Sequence, residues 1–227
     1  MAVTFIGDVH GWADRLERVL AQAEGTIVLM GDLIDRGPQT PQVLDRVHRL
    51  CLDGKAQCLM GNHEWMLRRV LPADGGVDEV AWTAWVETWG GHAVLAAYGV
   101  KQPDDLRRAL GSHLLWLSGL PRILAGGDGN QRWLAVHAGL DPARSMAEQV
   151  DELSADLGEV PPAALFSKQW LTVWPGDVPA DTCLVSGHTP RDNCFISARR
   201  ILCDTTGGLI GRQLSGVIWP KGQLILG

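Results

Sequence analysis

The chain has 227 residues, 46% apolar and 20% charged, with 20 basic against 26 acidic side chains for a net charge of −6. That length suits one domain with a continuous core, and the composition is that of a soluble globular protein. The acidic balance speaks against a nucleic-acid polymer as partner, which would need clustered Lys and Arg to displace counterions. No uncharged apolar run is long enough to span a bilayer. Cys51, Cys58, Cys183, Cys194 and Cys203 form no C-x-x-C pair and read as reduced core thiols. Asp8 interrupts the N-terminal apolar run too early for a signal peptide, so a cytoplasmic protein is expected.

Val3-Thr4-Phe5-Ile6 is a short β-branched run and predicts a first strand ending in Gly7-Asp8-Val9-His10-Gly11. Leu16, Val19 and Leu20 then mark the apolar face of a helix. A second strand, Thr26-Ile27-Val28-Leu29-Met30, runs into Gly31-Asp32-Leu33-Ile34-Asp35-Arg36-Gly37. Pro38 and Pro41 bracket the start of a helix whose inner face is Val43, Leu44, Val47 and Leu50. A third strand, 56–60, ends in Gly61-Asn62-His63-Glu64, and a helix follows over 65–71. Three repeats of strand, glycine turn and helix predict a parallel α/β sheet with three polar turns along one edge.

Residues 77–120 read as a helical insertion or cap, with Trp82, Trp85 and Trp89 recurring on one helix face. No basic residues interleave with them, so a packed stripe is favoured over a base-stacking platform. A hairpin is expected over 122–136, with its turn at 126–130, leading into His137-Ala138-Gly139. Residues 146–180 mix acidic helical sequence with Pro-marked loops. Thr182–Val185 reads as a strand ending in Ser186-Gly187-His188-Thr189-Pro190, and runs near 194–197, 200–203, 212–218 and 223–226 read as an antiparallel meander.

The polar residues at these strand ends are Asp8, His10, Asp32, Asp35, Arg36, Asn62, His63, His137 and His188. Carboxylate, imidazole and amide oxygen together suit a borderline divalent metal such as Mn²⁺, Fe²⁺ or Zn²⁺, and the set is too rich in histidine for Ca²⁺ or Mg²⁺. There are donors enough for two ions, and pairs about 3.5–4 Å apart serve in-line displacement at phosphorus. An arginine beside them matches phosphate oxygens with its planar fork. Neither a zincin H-E-x-x-H, a G-x-S-x-G elbow nor a Walker loop is present. His48, His92 and His113 lie outside any glycine turn and read as ordinary packed histidines.

The three N-terminal glycine motifs, with His137-Ala138-Gly139 and Gly187-His188-Thr189-Pro190, resemble in order the five signatures of the phosphoprotein phosphatase family of calcineurin-like metallophosphoesterases, of the bacterial serine/threonine type. The resemblance implies a four-layer αββα sandwich carrying two divalent metal ions, manganese first, with iron and zinc as alternatives. By position, Asp8 and His10 would hold the first metal, Asp32 would bridge both, and Asn62, His137 and His188 would complete the second. His63 would be the general acid oriented by Asp35, Arg36 would hold the phosphate, and a metal-bridging hydroxide would be the nucleophile. This sequence departs from the pattern at Met60, where many members carry arginine, at Lys168 in the region where a second phosphate-binding arginine is expected, and in the extra threonine of Asp204-Thr205-Thr206-Gly207.

Three functions are compatible with these residues. The favoured one is a phosphomonoesterase acting on serine/threonine phosphoproteins, with dual specificity as a variant of it, because Asp35 and Glu64 match that branch. The alternative is a symmetrical diadenosine tetraphosphate hydrolase, which Met60 fits. A catalytically silent metal-binding protein is the third.

Overall fold

The computed structural model describes residues 1–129, 131–155 and 161–227. Its strands are β1 (Val3–Ile6), β2 (Thr26–Leu29), β3 (Ala56–Cys58), β4 (Ile123–Asp128) and β5 (Gln131–Val136), followed by β6 (Thr182–Ser186), β7 (Phe195–Ile196), β8 (Arg200–Leu202), β9 (Ser215–Trp219) and β10 (Gln223–Leu226). The helices are α1 (Ala13–Leu20), α2 (Thr40–Leu52), α3 (Asn62–Val70), α4 (Glu79–Ala84), α5 (Gly91–Tyr98), α6 (Pro103–Leu110), α7 (Ser112–Ser118) and α8 (Met146–Ser154). A π-helical turn, Trp85–Trp89, joins α4 to Gly90.

Two mixed sheets form, in the orders β10-β9-β1-β2-β3 and β4-β5-β6-β8-β7. The first three strands are parallel neighbours, as their recurring strand-turn-helix pattern predicts. Side chains alternate across each strand, and here the alternation sorts residues between layers. Phe5, Val28, Val217, Trp133, Ala135 and Val185 meet between the sheets. Ile6, Leu29 and Ile218 point the other way, onto Leu16 of α1 and Val43, Leu44 and Val47 of α2. Leu134, Val136 and Leu184 face outward from the second sheet onto Leu153 of α8. The layer order is therefore helix, sheet, sheet, helix, in agreement with the expected sandwich.

Two expectations need correction. The C-terminal strands do not form one meander. β8 pairs in parallel with β6 and antiparallel with β7 in the second sheet, whereas β9 and β10 cross to the first sheet, where β9 runs antiparallel to β1. Alternating short strands look alike in sequence, and only the buried faces available in three dimensions decide which edge each one joins. The third helix also starts earlier than expected, at Asn62, because Glu64 caps it by accepting the Gly61 N–H at 2.9 Å. Residues 77–120 are helical, as expected, and the hairpin forms between β4 and β5. Asn130 of its predicted turn lies outside the described residues.

Phe5 is fully buried between the sheets, edge-on to Trp133 with 5.3 Å between ring centroids. Phe5→Ala is expected to cost about 3–5 kcal/mol of stability, read as a lowered denaturant midpoint at unchanged slope.

Candidate active site

The site forms where the turns after β1, β2 and β3 meet those after β5 and β6. All five non-glycine residues with a left-handed backbone among the described residues belong to it: His10 (φ 46°), Asp32 (51°), Asp35 (71°), Arg36 (69°) and His188 (64°). Such conformations are strained by about 1 kcal/mol or more each, so the surroundings must hold them. Hydrogen bonds do this. Asp32 O accepts from both Val9 N and His10 N (3.1 and 2.8 Å), and Arg36 N donates to Gly90 O at 3.1 Å.

Glu64 ties the second turn to the third. Its buried carboxylate accepts the backbone N–H groups of Asp32 (2.8 Å), Leu33 (2.8 Å) and Gly61 (2.9 Å). Burial and the neighbouring Asp32 lift it to about 7, against the opposing pull of those three donors. Gly61 and Gly187 permit close approach, since a β-carbon at either would run into the carboxylate of Asp32 or Asp8 respectively.

The histidines divide into two kinds by what their ring nitrogens do. His10 Nδ1 lies 2.9 Å from Ile34 O, His137 Nδ1 lies 2.6 Å from Met30 O, and His188 Nε2 lies 3.1 Å from Phe166 O. A carbonyl oxygen only accepts, so in each ring that nitrogen carries a proton and the other is the one left available to a cation. This is how metal-ligating histidines have their tautomer set. The free nitrogens converge on Asp32 Oδ2, with His10 Nε2 at 3.6 Å and His137 Nε2 at 3.5 Å. Asn62 Oδ1 stands 2.9 Å from both His137 Nε2 and His188 Nδ1.

His63 is the exception. Its Nδ1 meets Asp35 Oδ2 at 2.5 Å, a carboxylate rather than a carbonyl, and its Nε2 faces the Arg36 guanidinium at 3.0 Å. Arg36 also reaches His10 Nε2 at 3.0 Å and donates to Gly207 O at 2.8 Å.

Among the described residues, two groups of converging donors could each hold a cation: His10, Asp32 and His63; and Asp32, His137 and His188. Asp32 belongs to both, as the expected bridging carboxylate would. Two placements differ from expectation. His63 falls within reach of the first group. Asp8 belongs to neither group, and both its oxygens lie 2.9–3.1 Å from the His188 N–H. The local field favours a positive charge between the groups. Burial raises the Asp32 carboxyl, yet His137, His63 and His10 together hold it well below its usual range. Burial lowers His137, yet Asp32 and Asp8 outweigh this and lift it to about 10. Ring orientations fixed by backbone carbonyls, inward-facing ring nitrogens and a shared carboxylate fit divalent metal ions, whose binding would displace the His137 proton.

Sequence reasoning missed three groups. Trp85, read as packing, donates its indole N–H to Asp35. Glu64 figured only as a motif match, although its position three residues after Gly61 is a helix-capping signal. His92 is exposed rather than packed. Lys168 is also exposed, and Met60 is fully buried in the core.

Asp32→Asn is expected to lower the divalent metal retained per chain, measured by elemental analysis after dialysis. Full retention of two ions would contradict a shared Asp32.

A calcineurin-like phosphoesterase family model matches residues 1–210. The symmetrical bis(5′-nucleosyl)-tetraphosphatase of Acidovorax ebreus is 29% identical over an alignment of 183 positions that covers 75% of this chain and 53% of that protein. The chain thus spans about half the length of several relatives of that name. The asymmetrical bis(5′-nucleosyl)-tetraphosphatase PrpE of Bacillus velezensis matches end to end, at 26% identity over 99% of this chain and 92% of that one. A crystal structure provisionally described as a diadenosine tetraphosphatase superposes with a TM-score of 0.63 at 23% identity, covering 100% of this chain and 92% of that one. A cold-active protein tyrosine phosphatase gives 0.57 at 18%, covering 99% and 78%. Both are distant enough to speak for the fold alone. From the family match over most of its length, this chain belongs to the calcineurin-like phosphoesterases.

Proposed function

We propose that the chain is a metal-dependent hydrolase of dinucleoside tetraphosphates. The observation that carries this reading is the set of relatives named bis(5′-nucleosyl)-tetraphosphatases, one of which matches end to end. The site supports it. Arg36 presents two guanidinium nitrogens at the cluster, suited to the oxygens of a polyphosphate. Trp89, half-buried, lies edge-on to His63, and half-buried Phe166 lies against Trp89, so the two form an aromatic edge on which a nucleobase can rest.

Residues His10, Asp32, Asn62, His137 and His188, with Asp8 alongside them, would hold the metal ions, and the Asp8 carboxylate also accepts the His188 backbone N–H. Bound there, such ions supply Lewis-acid polarisation of a phosphoryl oxygen and activation of water. Arg36 would orient the phosphate. His63 would deliver a proton from Nε2 to the leaving oxygen, with Asp35 holding its Nδ1 side. Arg36 contacts that same nitrogen, so a bound phosphate must draw the guanidinium away before the proton can be held there. At rest, burial first and then Arg36 keep His63 at about 4.

One observation favours a second reading, the hydrolysis of phosphoprotein monoesters. The 2.5 Å Asp35–His63 pair is the equipment of an acid catalyst. A serine alkoxide needs protonation on leaving far more than a nucleotide phosphate does.

Assaying the Mn²⁺-loaded protein on diadenosine tetraphosphate and on a phosphothreonine peptide in parallel decides between them. Nucleotide release well ahead of phosphate release is expected. Two molecules of ADP would mark a symmetrical cut, and ATP with AMP an asymmetrical one. Preference for the peptide would establish the monoesterase instead. In addition, His63→Asn is expected to retain metal while losing about two or more orders of magnitude in turnover of poorly activated esters; unchanged turnover on an alkyl phosphate removes His63 from the acid role.

A further inference from the structure

α4 runs into the π-helical turn Trp85–Trp89, and Gly90 (φ 92°) ends it. Single π-turns recur at functional sites because the wider turn carries side chains off the regular helix face. Here the turn places three groups on Asp35, Arg36 and His63. The Trp85 indole Nε1–H lies 3.0 Å from each oxygen of the Asp35 carboxylate, and the ring is fully buried. The Trp89 ring sits edge-on to His63, 5.2 Å between centroids. Gly90 O accepts the Arg36 N–H, and a β-carbon at Gly90 would press on Arg36.

Asp35 is fully buried, and its side-chain hydrogen-bond partners among the described residues are His63 and Trp85. With His63 alone, the carboxylate could swing about its bond to the β-carbon, and the imidazole would swing with it. The indole N–H, straddling both oxygens, sets the plane of the group and leaves Oδ2 on His63 Nδ1 at 2.5 Å.

We propose that Trp85 is a positioning residue for the proton donor: by fixing the Asp35 carboxylate it aims His63 Nε2 at the leaving oxygen. The proposal rests on the acid role given to His63 above. In that step the bond from phosphorus to the leaving oxygen breaks and one from phosphorus to water oxygen forms. The Nε2 proton passes to the leaving oxygen, and a proton from the water restores the balance. Trp85 thereby enters the chemistry through a hydrogen bond, without touching the substrate.

Trp85→Phe keeps the ring volume approximately and removes the donor. With the Mn²⁺-loaded full chain, turnover is measured on 4-nitrophenyl phosphate, phenyl phosphate and an alkyl phosphate, beside His63→Asn. Trp85→Phe is expected to retain metal and most activity on the activated ester, and to lose about tenfold or more on the alkyl ester. An equal loss on all esters, or a loss of bound metal, would show a packing role and overturn the proposal. If His63→Asn is also insensitive to the leaving group, it is the acid role of His63 that fails, and the proposal falls with it. If the variant does not fold, or the wild type turns over no ester, proton NMR of the wild type decides. Slow solvent exchange of the Trp85 indole proton, accelerated in Asp35→Ala, is expected. Exchange as fast as that of exposed indoles overturns the assignment.

Discussion

The Asp32 carboxylate is the charge around which this molecule is arranged. It is 2% exposed, and an ionised carboxylate taken from water costs several kcal/mol unless hydrogen bonds and opposite charge surround it. Here Oδ1 accepts the His63 N–H at 3.1 Å, and ring nitrogens of His10, His63 and His137 stand 3.5–3.9 Å from Oδ2. Those three histidines come from different turns, so satisfying one carboxylate requires turns after β1, β3 and β5 to converge. The same convergence produces a site that favours cations.

Convergence has a structural cost, and glycines and Glu64 meet it. Backbone approaches Asp32 at Gly61 and Asp8 at Gly187 more closely than any side chain would permit. Glu64 gathers three backbone donors from two turns, which would otherwise be unpaired at the bottom of the site. Left-handed backbone at five functional residues stays in place because these bonds over-determine it. Rigidity of this kind suits a site whose donors must keep their geometry before any ligand arrives.

Much of this was legible in the amino-acid pattern. A glycine close to Asp, His or Asn at the end of an apolar run, repeated down the chain, marked the five turns that meet here, though neither Trp85 nor the capping by Glu64. The pattern could not separate the roles of histidines that look alike. His63 differs from His10, His137 and His188 only in meeting a carboxylate where they meet carbonyls. Nor could it show that the Asp8 carboxylate accepts the His188 backbone N–H. Trp85 is fifty residues from Asp35, and its spacing with Trp82 and Trp89 equally fits a stripe of packed rings.

The sequence by itself determined the layered α/β class, the family resemblance and the turns that converge at the site, because these follow from local periodicity and from short turns of fixed chemistry. Tertiary structure alone decided the division of the tail between two sheets, the hydrogen-bond partner of each histidine and the union of Trp85 with the Asp35–His63 pair. Those depend on which distant backbone or side-chain atom arrives within hydrogen-bonding reach, a matter of packing that spacing along the chain does not encode.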